Sequence, residues 1–359
     1  MCIYYPNQPS LTYSGGDHVF SAAIGGKLKL PKGFVSDQIN NELSKFEQDL
    51  FREGPVGLAR ILDGPGKRGS LSPGKQIKSR ISLLSGGTDG RTYSLGYAWN
   101  QKVHEIPQVM VPLDGQSIAF SYDVDSTDGT PAEVIETFRR DCMSWSTLRC
   151  RTILSAKIDK NKFLLGMARG VEENYNCFLA KHPENTFELN EANLRKIADA
   201  LLGTQDPRGA TYTPTVHSEV KFHPDQLRVF GKIAFNVLAY IKGEEYVLSP
   251  AFDPLRLWIT RGGEFQARWH REIGDYFRQG LLKIPEKAHL VMLKPHKKLL
   301  MASVILYNSM SVTLVMTDQL PGPMDLDGMV CDWKKNEEFR FLDLIARSTE
   351  TVIEMDEDE

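Results

Sequence analysis

Apolar and polar positions alternate along the chain in two periods, and these divide it into helical and extended segments. Between residues 36 and 50, Ile39, Leu43, Phe46 and Leu50 recur at spacings of four, three and four, as in a helix that buries one face. Ser36 stands just before this run, where a side-chain oxygen can accept from the first free N–H groups. Thr130-Pro131 opens a second helix leading to Trp145, and Asn190 caps a third, whose Leu194, Ile197, Ala198 and Leu201 run up to Gly203. A fourth spans Pro224 to Lys242, with Leu227, Phe230, Ala234, Val237 and Ile241 on one stripe and Gly243 as its stop; it reads as a core helix. His289–Lys294, Leu299–Tyr307 and Ser311–Thr317 read as strands, the last two joined by a turn near Asn308-Ser309. The predicted class is α+β.

Composition adds domain boundaries. A chain of 359 residues, 41% hydrophobic and 25% charged, can bury a sizeable core, which excludes disorder, collagen and coiled coil as its main description. Residues 61–91 are rich in Gly, Ser and Pro and hold six basic residues (Lys67, Arg68, Lys75, Lys78, Arg80 and Arg91) against two acidic ones. That composition predicts a connector between an N-terminal module, residues 1–60, and a larger α+β portion, residues 92–349. Residues 350–359 form an acidic tail with six carboxylates and no basic residue. The formal net charge of −3 therefore conceals a basic connector and an acidic end, and does not exclude a nucleic-acid partner. The tail is expected either to compete for a basic surface or simply to aid solubility.

Five scattered cysteines (Cys2, Cys142, Cys150, Cys177, Cys331) make no disulfide framework, and no apolar stretch reaches the ~20 residues of a membrane helix. A cytoplasmic protein without a membrane partner is the expectation. Asp123 to Gly129 departs from a calcium loop, since the twelfth position is Val134, and reads as a turn. Gly64-Pro65-Gly66-Lys67 lacks the spacing of a phosphate loop.

The chemistry concentrates near the N-terminus. Asp17-His18-Val19 and then Ile24-Gly25-Gly26-Lys27 precede the helix that opens with Asn40-Asn41, in the predicted order strand, turn, strand, helix. A histidine supplies neutral imidazole near its ordinary pKa of ~6.5, as a general base requires. Asp17 and the Asn40 amide oxygen are hard ligands of the kind Mg²⁺ prefers. Asn41 is the alternative to Asn40. Adjacent residues of a flat strand face opposite sides, so Asp17 and His18 can serve one centre only where the strand ends, twists or bulges.

These residues resemble the HNH (ββα-metal) endonuclease family, whose members show Asp/Glu-His-Val, an Ala/Leu-Gly-Gly-Lys turn and Asn-Asn opening a helix. Lys232-Ile233-Ala234-Phe235-Asn236 and Phe252-Asp253-Pro254-Leu255-Arg256 are similar to segments of longer bacterial HNH proteins. The resemblance implies an N-terminal ββα-metal module and hydrolysis of phosphodiester bonds in double-stranded DNA. It also implies Mg²⁺ or Mn²⁺ as cofactor, His18, Asp17 and Asn40 as the catalytic group, and Asp17 and Asn40 as metal ligands. A setting in bacterial antiviral defence or restriction follows from the same resemblance, with a protein partner or homo-oligomer left open. Where many members carry two Cys-x-x-Cys pairs for zinc, this chain has Cys2-Ile3-Tyr4-Tyr5 and Ser36-Asp37-Gln38-Ile39, so no structural zinc is expected. Packing of Tyr5 with Ile39 is the expected replacement. Lys27, Lys67, Arg68, Lys75, Lys78 and Arg80 are the candidate phosphate contacts, the alternative for the connector being a solvated linker. The rival function is a catalytically inactive, HNH-derived module that binds nucleic acid or protein.

Overall fold

The computed structural model describes residues 1–52, 55–72, 75–86, 92–99, 102–114, 118–125, 127–202, 208–209, 223–270, 282 and 284–346. The tail 350–359 and Arg91 lie outside the described residues. The described residues are mixed α+β with three sheets, and the contacts of the chain divide it into two units. One unit comprises Met1–Ile77 together with Val220–Glu359; the other is the intervening Lys78–Glu219. This division differs from the borders drawn from composition at residues 60 and 91, because low complexity marks turns and not the places where packing stops.

In the first unit an irregular N-terminal segment leads into α1 (Asp37–Arg52) and α2 (Pro55–Asp63). The intervening unit supplies β1 (Ser82–Gly86), β2 (Thr92–Trp99) and β3 (Lys102–Glu105) as one antiparallel sheet. It continues with β4 (Gln108–Pro112), β5 (Ala119–Tyr122), α3 (Pro131–Met143), β6 (Cys150–Leu154), β7 (Lys162–Met167), β8 (Cys177–Lys181), α4 (Glu191–Ala200) and β9 (Arg208–Gly209). Its six-stranded sheet has the order β6-β8-β7-β4-β5-β9, and Phe120, Phe138, Leu165 and Leu194 fall in one buried cluster there. Thr130 caps α3 through a reciprocal pair with Glu133, and the helix ends at Met143. Trp145–Thr147 is a separate 3-10 turn, so that helix is shorter than predicted.

The first unit resumes with α5 (Pro224–Lys242), α6 (Glu244–Val247) and α7 (Asp253–Arg261). Then come β10 (Ala267–His270), β11 (His289–His296), β12 (Leu299–Leu306), β13 (Met310–Thr317), β14 (Asp327–Asp332) and β15 (Glu337–Arg340). These strands form an antiparallel sheet of order β10-β13-β12-β11-β14-β15. The three predicted strands are β11 to β13, with Tyr307 and Asn308 at positive φ in the last turn. Among the described residues no helix is long and apolar enough to cross a membrane.

Helix α5 packs against both the sheet and α1, and every residue from Arg228 to Ala239 is buried. A helix enclosed on all sides needs apolar residues all round. Three of these positions are nevertheless polar: Arg228, Lys232 and Asn236, at successive intervals of four and hence on one row of the helix surface. Arg228 donates to the Ile259 and Thr260 carbonyls and to Asp225, and its guanidinium lies 4.6 Å from the centre of the Phe46 ring on α1. The row faces the N-terminal segment, and α5 is therefore more than the core helix predicted.

Candidate active site

The predicted strand–turn–strand is an irregular hairpin. Its pairing consists of one bridge, His18 to Lys29, flanked by Val19 N–H to Leu28 O (2.9 Å) and Leu30 N–H to Asp17 O (2.8 Å). The two arms are joined by a 3-10 turn, Ala22–Ile24, which Ser21 caps. Two glycines end this turn for steric reasons. Gly25 has φ +98°, and a Cβ there would stand 2.4 Å from Trp333 Cβ; at Gly26 it would stand 1.9 Å from the Phe20 carbonyl oxygen. Because no regular strand runs through residues 15–20, the face alternation that would have separated Asp17 from His18 does not apply.

Cys2, Tyr5, Ser36 and Ile39, which stand where the HNH resemblance would put zinc ligands, border one core cluster. Cys2 and Ser36 are fully buried and in contact, Sγ to Oγ at 3.5 Å; Ile39 is fully buried and Tyr5 packs on the same core cluster. Tyr5 also donates to Glu42 Oε2 at 2.7 Å, tying the irregular N-terminal segment to α1. Ser36 precedes α1 as predicted, its Oγ reaching the Ile39 N–H at 3.5 Å.

Asp17 and Asn40 meet at one point, the Lys232 ammonium. Nζ lies 2.9 Å from Asp17 Oδ2, 3.4 Å from Asn40 Oδ1 and 2.7 Å from Glu47 Oε1. It is Asn40 whose side-chain oxygen reaches this centre, while the exposed Asn41 accepts the Ser44 hydroxyl on its carbonyl. Asn236, one turn along α5, donates from Nδ2 to Asp17 Oδ2 (3.2 Å) and to the His18 carbonyl (2.9 Å). The buried Tyr4 hydroxyl donates to Asn236 Oδ1 at 2.7 Å, which fixes the amide with its nitrogen towards the hairpin. Asp17 Oδ1 accepts the His18 backbone N–H at 2.9 Å, and Glu47 Oε2 accepts the Ser21 hydroxyl at 3.2 Å.

The electrostatics follow from this packing. Burial alone would push the Lys232 ammonium down, but Glu47 and then Asp17 reverse the effect and hold its pKa above the ordinary lysine value. The half-buried His18 has its pKa lowered, first by burial and then by the Lys29 charge, with Asp17 opposing, so neutral imidazole is the form present at neutral pH. Burial, assisted by the Asp17 charge, holds the Tyr4 hydroxyl protonated.

Sequence reasoning named Asp17, His18 and Asn40, quoted Lys232 and Asn236 only within a segment similar to longer HNH proteins without giving them a role, and gave none to Glu47 or Tyr4. Glu47 lies seven residues after Asn40, two turns along the same face of α1. The signal for Lys232 and Asn236 was the polar row in an otherwise apolar helix.

The six candidate phosphate contacts are all exposed. Lys27, Lys67 and Arg68 gather beside the hairpin turn, where Lys27 Nζ approaches the Gly69 carbonyl at 3.4 Å. Their loop is anchored, contrary to a free linker: Arg60, 5% exposed, donates to the carbonyls of Phe51, Pro65 and Gly66. Gly64, Pro65, Gly66 and Gly69 are buried, and the Lys75 carbonyl lies against Gly66. Lys78 and Arg80 belong to the other unit, where Lys78 Nζ lies 5.5 and 5.2 Å from the Tyr97 and Trp99 rings.

The donor set around Lys232 Nζ is two carboxylates and an amide oxygen, chemistry suited to a hard divalent cation. Among the described residues no three His, Cys, Asp or Glu side chains are grouped to hold a metal ion; the third oxygen at this point is the Asn40 amide. Neither a scan of protein-family models nor searches of curated proteins and of solved structures find a match to this chain.

Proposed function

We propose that the chain is an HNH-type endonuclease that hydrolyses phosphodiester bonds of double-stranded DNA, with its N-terminal hairpin and α1 as a ββα-metal module. The observation that carries this is the convergence of Asp17, from the hairpin, and Asn40, from α1, on one point, with the half-buried His18 bonded through its backbone to Asp17. Neutral His18 takes the proton of the attacking water, and its lowered pKa keeps this base available at neutral pH. Asp17 and Asn40 would hold Mg²⁺ or Mn²⁺, which supplies positive charge to the phosphate oxygens when bound. Asn236 keeps Asp17 in a single orientation by engaging Oδ2. Lys27, Lys67 and Arg68, exposed beside the hairpin turn, receive neighbouring phosphates without reading sequence. Cleavage of foreign DNA in a bacterial cytoplasm is the biological setting that goes with this reading.

One observation favours the rival, a catalytically inactive binding module: an ammonium already stands among the oxygens a metal would use. Nicking of a supercoiled plasmid separates the two. Cleavage with Mg²⁺ or Mn²⁺, abolished by EDTA and reduced by a factor of about 100 or more in His18→Ala, is the expected result. Cleavage that survives His18→Ala places the site elsewhere, and none under either metal favours the binding module.

A further inference from the structure

Lys232 is unexplained by the endonuclease reading. It is 3% exposed, on a helix enclosed by protein, and an ammonium there must be compensated by close oxygens. The compensation exceeds the need, since two carboxylates, Asp17 and Glu47, face one ammonium, and the Asn40 side-chain amide oxygen adds a third acceptor. All three are oxygens, and Asn40 at the rim is exposed. A lysine head is a compact point charge on a flexible four-carbon stem, and it can occupy such a cradle in place of a metal ion.

We infer that the Lys232 ammonium is a built-in stand-in for a divalent cation. It and the metal compete for the oxygens of Asp17, Asn40 and Glu47, so Lys232 keeps the cradle assembled without metal and holds metal affinity down. Glu47 becomes a ligand when the ammonium withdraws. The inference takes its divalent cation from the proposed function, but concerns binding and not cleavage. Two like charges held together without Lys232 would recruit a cation.

The test is Mn²⁺ binding to the full chain, followed by the electron-spin-resonance signal of free Mn²⁺ and by thermal unfolding. Lys232→Met keeps the length of the stem and removes the charge. Its affinity for Mn²⁺ is expected to exceed that of wild type by at least about tenfold. Its melting temperature is expected to be low in EDTA and to rise by several degrees with Mn²⁺, a larger rise than in wild type. Lys232→Met/Glu47→Gln should lose that gain. Mn²⁺ affinity in Lys232→Met equal to or below that of wild type overturns the inference. Should Lys232→Met fail to fold even with Mn²⁺, Glu47→Gln alone decides: affinity weakened at least about fivefold supports the competition, and unchanged affinity overturns it. A gain of Mn²⁺ binding in a protein that cuts no DNA would leave the stand-in intact and remove the nuclease reading.

Discussion

His289 fastens the hairpin turn to the sheet, and its ring makes that fastening sensitive to acid. The side chain is fully buried; Nε2 lies 3.0 Å from the Ile24 carbonyl oxygen, and Nδ1 accepts the Tyr307 backbone N–H at 3.1 Å. Both nitrogens are thus engaged by the neutral ring protonated at Nε2, and a second proton would oppose the Tyr307 N–H. Burial pushes the imidazole down to about 3, with the Ile24 carbonyl opposing. In the unfolded chain it titrates near 6.5, so as pH falls the unfolded state takes up the proton first. The stability this residue contributes is complete above ~6.5, is lost progressively below it, and is gone near ~3. The loss amounts to about 2 kcal/mol at about pH 5 relative to about pH 8, and to about 5 kcal/mol in the acid limit. His289→Gln keeps an N–H donor and cannot titrate. Urea unfolding of wild type and variant, followed by tryptophan fluorescence at the two pH values, measures the effect. Wild type should lose about 2 kcal/mol more than the variant between them. An equal loss in both proteins, to within about 0.5 kcal/mol, refutes the assignment of this acid sensitivity to His289.

Two further outcomes follow from buried donors. Tyr4→Phe takes the hydroxyl from Asn236 Oδ1 and leaves that oxygen unsatisfied, for an expected loss of about 1–2 kcal/mol in chemical unfolding and slower nicking; unchanged stability would show that the amide does not depend on Tyr4. Arg60→Met strips donors from three carbonyls, with an expected loss of about 2–4 kcal/mol. Lys67→Ala/Arg68→Ala, both positions being exposed, should leave unfolding unchanged while lowering the slope of log Kd against log salt for duplex DNA by about 1.8. An unaltered slope removes these two residues from the DNA contact.

Helices α1, α3, α4 and α5 and strands β11 to β13 were legible because each carries its own apolar period. The hairpin was legible in its glycines, since only glycine fits beside Trp333 and the Phe20 carbonyl. Asp17, His18 and Asn40 could be named because they lie within 24 residues on one local motif. Glu47 escaped, and Lys232 and Asn236 were quoted without a role, because their meaning depends on tertiary approach. On α5 the apolar stripe dominates any periodicity count, and the polar row 228, 232, 236 becomes a signal only once the helix is known to be enclosed. The borders at 77 and 219 escaped because the chain leaves and re-enters one unit without a change in composition that marks either crossing.

The interrupted first unit also bears on how the protein is made. Asp17 and Asn236 are 219 positions apart, and the whole of Lys78–Glu219 is translated between the two halves of their cradle. At the ~5–20 residues per second of ribosomal synthesis, the roughly 190 residues from Glu47 to Asn236 take about 10–40 s. During that interval the nascent chain carries the Asp-His pair and α1 but not the helix that orients them. A fragment released early would lack Lys232, Asn236 and the sheet to which His289 ties the turn. The arrangement therefore leaves the cradle of Asp17, Asn40 and Glu47 without its α5 partners until translation has passed α5.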